Sequence, residues 1–190
     1  MSKTVSSCFA ALRQIRSIRQ TTTRPVLKSL VVALVLSRLD YGSATLAGLP
    51  GTLLNRLQSV LNAAARLIFT ARKFDHVTPL LRDLHWLRVP ERLDFRLAVL
   101  VYRCLHGTAP AYLSCELRRV ADCESRQRLR SASTAALIVP STRRSTIGDR
   151  AFPFAASRDL KSLPSSAPPL PVFRHLMKAE LFARSYGTDH

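Results

Sequence analysis

Four cysteines and five histidines are the side chains of this sequence with the chemistry to hold a metal ion or to act as nucleophiles. The best zinc candidate is Cys104, His106, Cys115 and Cys123. Structural zinc requires four close nitrogen or sulfur ligands, usually supplied as two tight pairs. Cys104 and His106 form one such pair, but Cys115 and Cys123 have several residues between them. We therefore predict no metal site and reduced, partly buried thiols, Cys8 included, in an intracellular chain.

Carboxylates are scarce and scattered. The sequence has only 12 acidic residues, and no two of them are adjacent. A two-metal phosphoryl-transfer site needs carboxylates that hold cations close together, and the sequence motifs of zinc peptidases, serine hydrolases and P-loop enzymes are missing. We therefore assign no catalytic residue and no cofactor, and expect that this chain is not an enzyme by itself.

Positive charge is the strongest chemical signal. The chain has 29 Lys and Arg and a formal net charge of +17, and Asp40 is the only acidic residue before position 74. Most of the cations are arginines, whose planar guanidinium suits phosphate, so we predict a surface for the backbone of RNA, DNA or an RNA–DNA hybrid. A merely solvated charged surface is the alternative. The candidate phosphate-binding residues are Arg13, Arg16, Arg19, Arg56, Arg66, Arg72 and Lys73.

One helix is expected to organise the elements that position these cations. From position 52 to 73, apolar residues recur at spacings of three and four, which is typical of one buried helix face. Fixing about twenty residues costs roughly 1–2 kcal/mol each, which is similar to the gain from burying that face. The helix is therefore predicted to be the centre of a bundle. Its apolar residues are Leu53, Leu54, Leu57, Val60, Leu61, Ala64, Leu67 and Ile68.

The remaining periodicity predicts a mainly α protein with six or seven helices and at most a minor β-hairpin near 135–147. Helices are expected over 7–20, 26–39, 78–85, 91–106, 110–119 and 172–184, with another helical segment over 149–163. The predicted organisation is a helical bundle over 1–120, an irregular or hairpin segment over 121–148, a C-terminal helical segment over 149–185 and a tail over 186–190. The longest apolar run, 30–36, lies in a helix expected to be buried, and is far short of the roughly 20 residues that span a bilayer.

Several residues have the pattern of helix ends. Thr52 and Thr78 are predicted N-caps, Pro25 a first helical residue and Gly107 a helix stop. His85 and Trp86 stand at the end of a short predicted helix. We expect the imidazole to bond the last carbonyls of that helix and the indole to pack against the protein. Stacking of a nucleic-acid base on the indole of Trp86 is the alternative.

A set of short motifs gives the chain a family resemblance. SRLDY, AGLP, LNRLQ, NAAARLI, DHVTPLL, LHWL and GDRAF occur in this order, within a match that runs from about Cys8 to Phe182. The chain resembles the region that follows the catalytic domain in the reverse transcriptases of non-LTR, LINE-type (jockey-like) retrotransposons.

This resemblance implies a thumb-like and post-thumb bundle, located after the palm that carries the polymerase's aspartate pair. Its partners would be nucleic acid and either the missing polymerase domains or a second copy. The sequence departs from the family at Gly42 (usually Cys), Arg88 (usually Pro) and Leu160 (usually Trp). Two alternatives stay open: an orphan helical bundle that is inactive or acts in protein–protein contact, and a mitochondrial protein, because 7–19 has the composition of a presequence.

Overall fold

The computed structural model describes residues 2–41, 49–117, 152 and 168–187. Every regular element in these ranges is helical, which confirms the mainly α prediction. Counting the uninterrupted run α2, π turn and α3 as one helix gives seven helices in the described part, and the predicted hairpin near 135–147 lies outside it. The helices are α1 (Ser2–Ser17), α2 (Arg24–Val31), α3 (Ser37–Asp40), α4 (Gly51–Phe69), α5 (Thr78–Asp83), α6 (Val89–Leu105), α7 (Ala111–Ser114) and α8 (Leu170–Tyr186); a 3₁₀ turn spans Arg19–Thr21 and a π-helical turn Val32–Leu36.

Two compact units divide the described chain. The first unit consists of Met1–Ser43, Leu49–Arg92 and Leu181–His190, and the second of Ala44–Gly48 and Leu93–Glu180. The predicted boundaries at 120, 148 and 185 stay predictions.

The centre of the first unit is α4, which contacts α1, α2 and α5. Six of the eight predicted face residues are buried, Leu53 and Leu54 are half-buried, and Ala65 is buried in addition. The six are Leu57, Val60, Leu61, Ala64, Leu67 and Ile68. The predicted N-cap is wrong, because Pro50 occupies the cap position and no side chain caps the helix. The helix also ends at Phe69, four residues before the predicted end at Lys73.

α1 and α4 run in the same direction. Near their N-terminal ends, Val5 lies beside Leu53 and Leu57. Near their C-terminal ends, Arg19 shares a cleft with Phe69 and Thr70. This parallel arrangement brings the basic end of α1 to the basic end of α4.

The run from α2 through the π turn to α3 is buried on one side only. Leu27, Val31 and Val35 face the core, whereas Val32 and Leu34 are about two-fifths exposed. The expectation of a buried helix therefore holds for one face and is wrong for the face that carries Val32 and Leu34. One extra residue per turn in the π segment shifts the apolar positions relative to a regular helix, so some of them face outward.

At the first residues of α2, α4, α5 and α7, no side chain of the cap residue bonds to the helix. Pro25 is within the first two residues of α2, near its predicted position, and Gly107 follows α6 with φ +67° as predicted. Thr78 is the first residue of α5 and not its cap, since Val77 holds that position.

The second unit has a small aromatic core. Ala98, Tyr102 and Phe173 are buried together, and the rings of Tyr102 and Phe173 stack with centroids 4.6 Å apart. The Tyr102 hydroxyl donates to the Pro168 carbonyl at 2.8 Å, and the His106 ring stacks on Tyr102 at 3.9 Å. These contacts join α6 to the start of α8 within this unit.

Candidate nucleic-acid interface

The outer face of α1 presents the first two predicted cations. Arg13 and Arg16 are exposed and lie one turn apart, while Val5, Cys8, Leu12 and Ile15 line the buried face. The amphipathic pattern of α1 thus fixes both guanidinium groups on its solvent side.

Arg19 opens a basic cleft at the C-terminal ends of α1 and α4. The cleft has a volume of about 350 Å³ and is lined by Arg19, Gln20, Thr22, Arg24, Leu27, Ile68, Phe69 and Thr70. Arg24 places its Cζ 3.8 Å from the centroid of the Phe69 ring, a cation–π contact that leaves the edge of the guanidinium free to donate hydrogen bonds. Two arginines five residues apart in sequence therefore line one cleft.

Arg24 is absent from the sequence-predicted set, although it belongs to the same arginine-rich stretch before position 74. The predicted helix runs over 26–39 with Pro25 at its first helical position, so Arg24 precedes the predicted helix. In the structure it is the first residue of α2, whose Thr23 cap makes no side-chain bond to the first turn. The partial positive charge of this helix end adds to the field of Arg19 and Arg24.

A tight turn after α4 carries two more predicted cations. The Arg72 backbone N–H donates to Oδ2 of Asp75 at 2.6 Å, and the Asp75 N–H donates back to the Arg72 carbonyl at 3.2 Å. The side chains of Arg72 and Lys73 are exposed on this turn. Arg72 is two residues beyond Thr70, so its Cα lies within about 7 Å of the cleft wall. The turn therefore begins close to the cleft wall that Thr70 forms.

Arg66 has a different environment. It is half-buried, and its Nη2 donates to the Asp75 carbonyl at 3.1 Å, while its Nε is buried without a partner. Arg66 thus holds the turn that displays Arg72 and Lys73. Arg56 is exposed in the first half of α4, ten residues or about 15 Å along the helix from Arg66.

The structure places Arg19 in one cleft with the unpredicted Arg24. Arg72 and Lys73 follow Thr70, a residue of the cleft wall, by two and three residues, and Arg16 precedes Arg19 by three residues. We call these five cations the C-end patch. Asp75 is the nearest acidic residue in sequence, and its carboxylate accepts from the Arg72 backbone N–H. Five cations against this one carboxylate leave the patch with a strong net positive charge.

Two of the described cysteines, Cys8 and Cys104, are buried. Burial raises the pKa of Cys8, partly offset by Arg38, and burial also raises the pKa of Cys104. Both thiols are therefore protonated at neutral pH. Cys115 is exposed, so the expectation of a partly buried thiol is wrong at that position, and Cys123 lies outside the described residues.

Among the residues that the structure describes, no group of three or more His, Cys, Asp or Glu is arranged to hold a metal ion. None of the described helices has the combined length and hydropathy needed to cross a bilayer.

Trp86 belongs to the core of the first unit. Its side chain is 6% exposed, and its carbonyl accepts a hydrogen bond from the Tyr186 hydroxyl. His85 precedes it with φ +53° and places its ring 5.8 Å from Phe182. Base stacking on Trp86 is thereby ruled out, since the indole has no free face.

A second cleft, of about 330 Å³, lies beside the N-terminal half of α4. Its amide side chains are engaged: Gln58 donates to Asn62 Oδ1 at 2.8 Å and accepts from the Val89 N–H at 2.9 Å. Arg88, one of the departures from the retrotransposon pattern, lines this cleft and places its Cζ 5.4 Å from the Tyr186 ring. These bonds join α4 to the start of α6, which indicates a structural role.

Comparison with protein-family models, with curated proteins and with solved structures returns no match for this chain. The likeness to non-LTR retrotransposon reverse transcriptases therefore rests on the short sequence motifs alone.

Proposed function

We propose that this chain is the C-terminal, non-catalytic part of a non-LTR retrotransposon reverse transcriptase, and that it binds the backbone of RNA, DNA or an RNA–DNA hybrid. The observation that carries the binding role is the C-end patch, where Arg19 and Arg24 line one cleft beside the turn of Arg72 and Lys73. Phosphates bind such a surface through charge and hydrogen bonds without any reading of bases.

The family origin is supported by the motifs, and the fold that those motifs imply, a helical bundle, agrees with the observed architecture. The polymerase's aspartate pair has no counterpart in this sequence. The proposal accordingly assigns no catalytic residue and leaves nucleotide transfer to a palm encoded elsewhere.

The test is binding of a fluorescently labelled RNA–DNA hybrid at low salt. Arg19→Gln with Arg24→Gln should weaken binding by about tenfold or more, because each lost phosphate contact removes part of the counterion-release term. Arg72→Gln with Lys73→Gln tests the same patch without disturbing the Arg24–Phe69 contact.

Arg174→Gln with Lys178→Gln is the matched control, since it also removes two charges and both residues are exposed on α8 in the second unit. It should change affinity by less than about twofold. Equal losses in all three variants would mean that overall charge, and no particular surface, governs binding, and the C-end patch would be rejected.

A protein–protein role is the second candidate, and one observation favours it. Val26, Val32 and Leu34, on the run from α2 through the π turn, are each 41–49% exposed. Exposed apolar side chains that cluster on one helix are typical of contact surfaces. Leu34→Glu should abolish any self-association seen by light scattering while leaving hybrid binding unchanged.

A further inference from the structure

Phe74 is exposed to an extent unusual for a phenylalanine. Its side chain is 91% exposed, at the tip of the turn between α4 and α5. Tyr41 and Tyr112 are also exposed, at 88% and 71%, but each has a hydroxyl that water can solvate. Phenylalanine has no polar group, so nothing in its own chemistry offsets the exposure of the ring.

The backbone beneath this ring is held by three hydrogen bonds. Asp75 exchanges two of them with Arg72, and Arg66 donates the third to the Asp75 carbonyl. Arg66 belongs to α4, so the turn is tied to the central helix of the unit. The ring is thus presented from a fixed position, which lowers the entropy lost when a ligand binds it.

A cation lies near the ring, and others are close to it in sequence. Arg72 and Lys73 precede it on the same turn, and the Lys73 Nζ lies 5.9 Å from the ring centroid. The cleft lined by Arg19 and Arg24 begins two residues before Arg72. An exposed aromatic face beside a basic groove is the arrangement by which proteins bind single-stranded nucleic acid, since every base has a flat face to stack.

We propose that Phe74 is a stacking platform for one unpaired base of a single-stranded RNA or DNA, with Arg72 and Lys73 on the adjoining phosphates. This inference rests on the proposed function and adds a preference for single-stranded over fully paired nucleic acid at this point of the surface. Bases within a duplex are already stacked on their neighbours, so a duplex offers the ring no free face except at its ends.

The experiment compares three ligands of equal length: a single strand, the same strand with abasic sites in place of its bases, and a blunt duplex. Phe74→Ala should weaken single-strand binding by about 5- to 150-fold, the range expected for one lost base–aromatic stack. It should leave binding of the abasic strand and of the duplex within about twofold, because their phosphates still meet Arg72 and Lys73.

Two further variants separate stacking from other effects. Phe74→Tyr keeps the ring and should retain single-strand affinity. Tyr112→Ala removes an exposed aromatic from the second unit and should have no effect. In Phe74→Trp, the new indole should lose fluorescence when the normal strand binds and keep it when the abasic strand binds, whereas Trp86 is buried and contributes a constant signal.

The results separate failure of the stacking role from failure of the proposed nucleic-acid binding. If Phe74→Ala leaves single-strand affinity unchanged, or weakens the normal and abasic strands equally, the stacking role is wrong while binding by the patch stands. Loss of self-association in Phe74→Ala without a change in single-strand affinity would assign the ring to protein contact and overturn the inference. If the wild-type chain binds none of the three ligands at low salt, the proposed function itself fails.

Discussion

Tyr186 couples the stability of the first unit to alkaline pH. Its hydroxyl donates to the Trp86 carbonyl, and the Arg88 guanidinium lies 5.4 Å from its ring. Burial raises the pKa of Tyr186 to about 12, an effect that Arg88 opposes and Glu91 reinforces. Because the folded phenol holds its proton more tightly than the unfolded one, folding is favoured below the unfolded pKa of about 10, and this contribution is lost as pH rises toward 12.

The free energy of unfolding should therefore fall by up to about 2–3 kcal/mol between pH 10 and 12. Denaturant titrations at several pH values measure this fall, and phenolate absorbance follows the ionisation directly. In Tyr186→Phe the fall should be smaller, and unfolding at neutral pH should cost about 1 kcal/mol less because the hydrogen bond to Trp86 is lost. An identical pH dependence in the two proteins would refute the role of Tyr186.

Thr70 occupies a backbone conformation that suits glycine. Its φ of +59° follows the last residue of α4, and the next N–H, of Ala71, donates to the Arg66 carbonyl at 3.0 Å, which closes the helix end. The left-handed conformation costs a β-branched residue roughly 1–2 kcal/mol, so Thr70→Gly should stabilise the protein by about 0.5–1 kcal/mol after the entropy of the unfolded glycine is subtracted.

Thermal unfolding checks this, with Ser59→Gly as the matched control. Ser59 is exposed within regular α4, where glycine should destabilise the helix by about 0.5 kcal/mol. A destabilised Thr70→Gly protein would contradict the strain at this helix end.

At the scale of elements, α3 is joined to α6 by an ion pair. Nε and Nη2 of Arg92 donate to the two Asp40 oxygens at 2.7 and 2.8 Å, and both side chains are largely buried. Asp40, the only acidic residue before position 74, is thus used to close the bundle. A two-bond pair of this geometry fixes both orientation and distance between the helices.

Asp40→Asn should destabilise the first unit by about 1–3 kcal/mol, because Arg92 is left with an uncompensated, partly buried charge. Asp83→Asn, an exposed carboxylate on α5, should stay within about 0.5 kcal/mol of the wild type. Chemical denaturation measures the free energy of unfolding of both variants. Equal values for the two would argue against a stabilising ion pair.

Element patterns also explain which parts of the fold the sequence could predict. α4 and α6 were located to within a few residues, because each buries one face and so repeats apolar residues at helical spacing. The π turn was not predictable in the same way, since a single extra residue in one turn leaves no signature in composition. The sequence therefore did not predict that Val32 and Leu34 are exposed.

The positive charge of the candidate site was predictable from the sequence, whereas the positions of its cations in the fold were less so. Arginine enrichment before position 74 pointed to Arg19, Arg72 and Lys73, but only the parallel packing of α1 and α4 places Arg19 beside the C-terminal end of α4, after which Arg72 and Lys73 follow. Arg24 was missed because the helix start was placed one or two residues too late. Phe74 was missed because an apolar residue in a connection gives no sign of whether its ring is buried.

At the scale of the whole molecule, we propose that this basic chain binds a polyphosphate strand, and we assign no catalytic residue to it. About five cations belong to the C-end patch, and each phosphate that they neutralise releases a counterion. The salt dependence of affinity therefore reports how many of them act together.

The most direct measurement is the affinity for an RNA–DNA hybrid over a series of salt concentrations. We predict that the logarithm of the association constant falls against the logarithm of salt concentration with a slope near −4 to −5. Arg19→Gln with Arg24→Gln should make this slope shallower by about 2. A shallow slope in the wild-type protein, or no binding of the hybrid at low salt, would contradict the proposed binding.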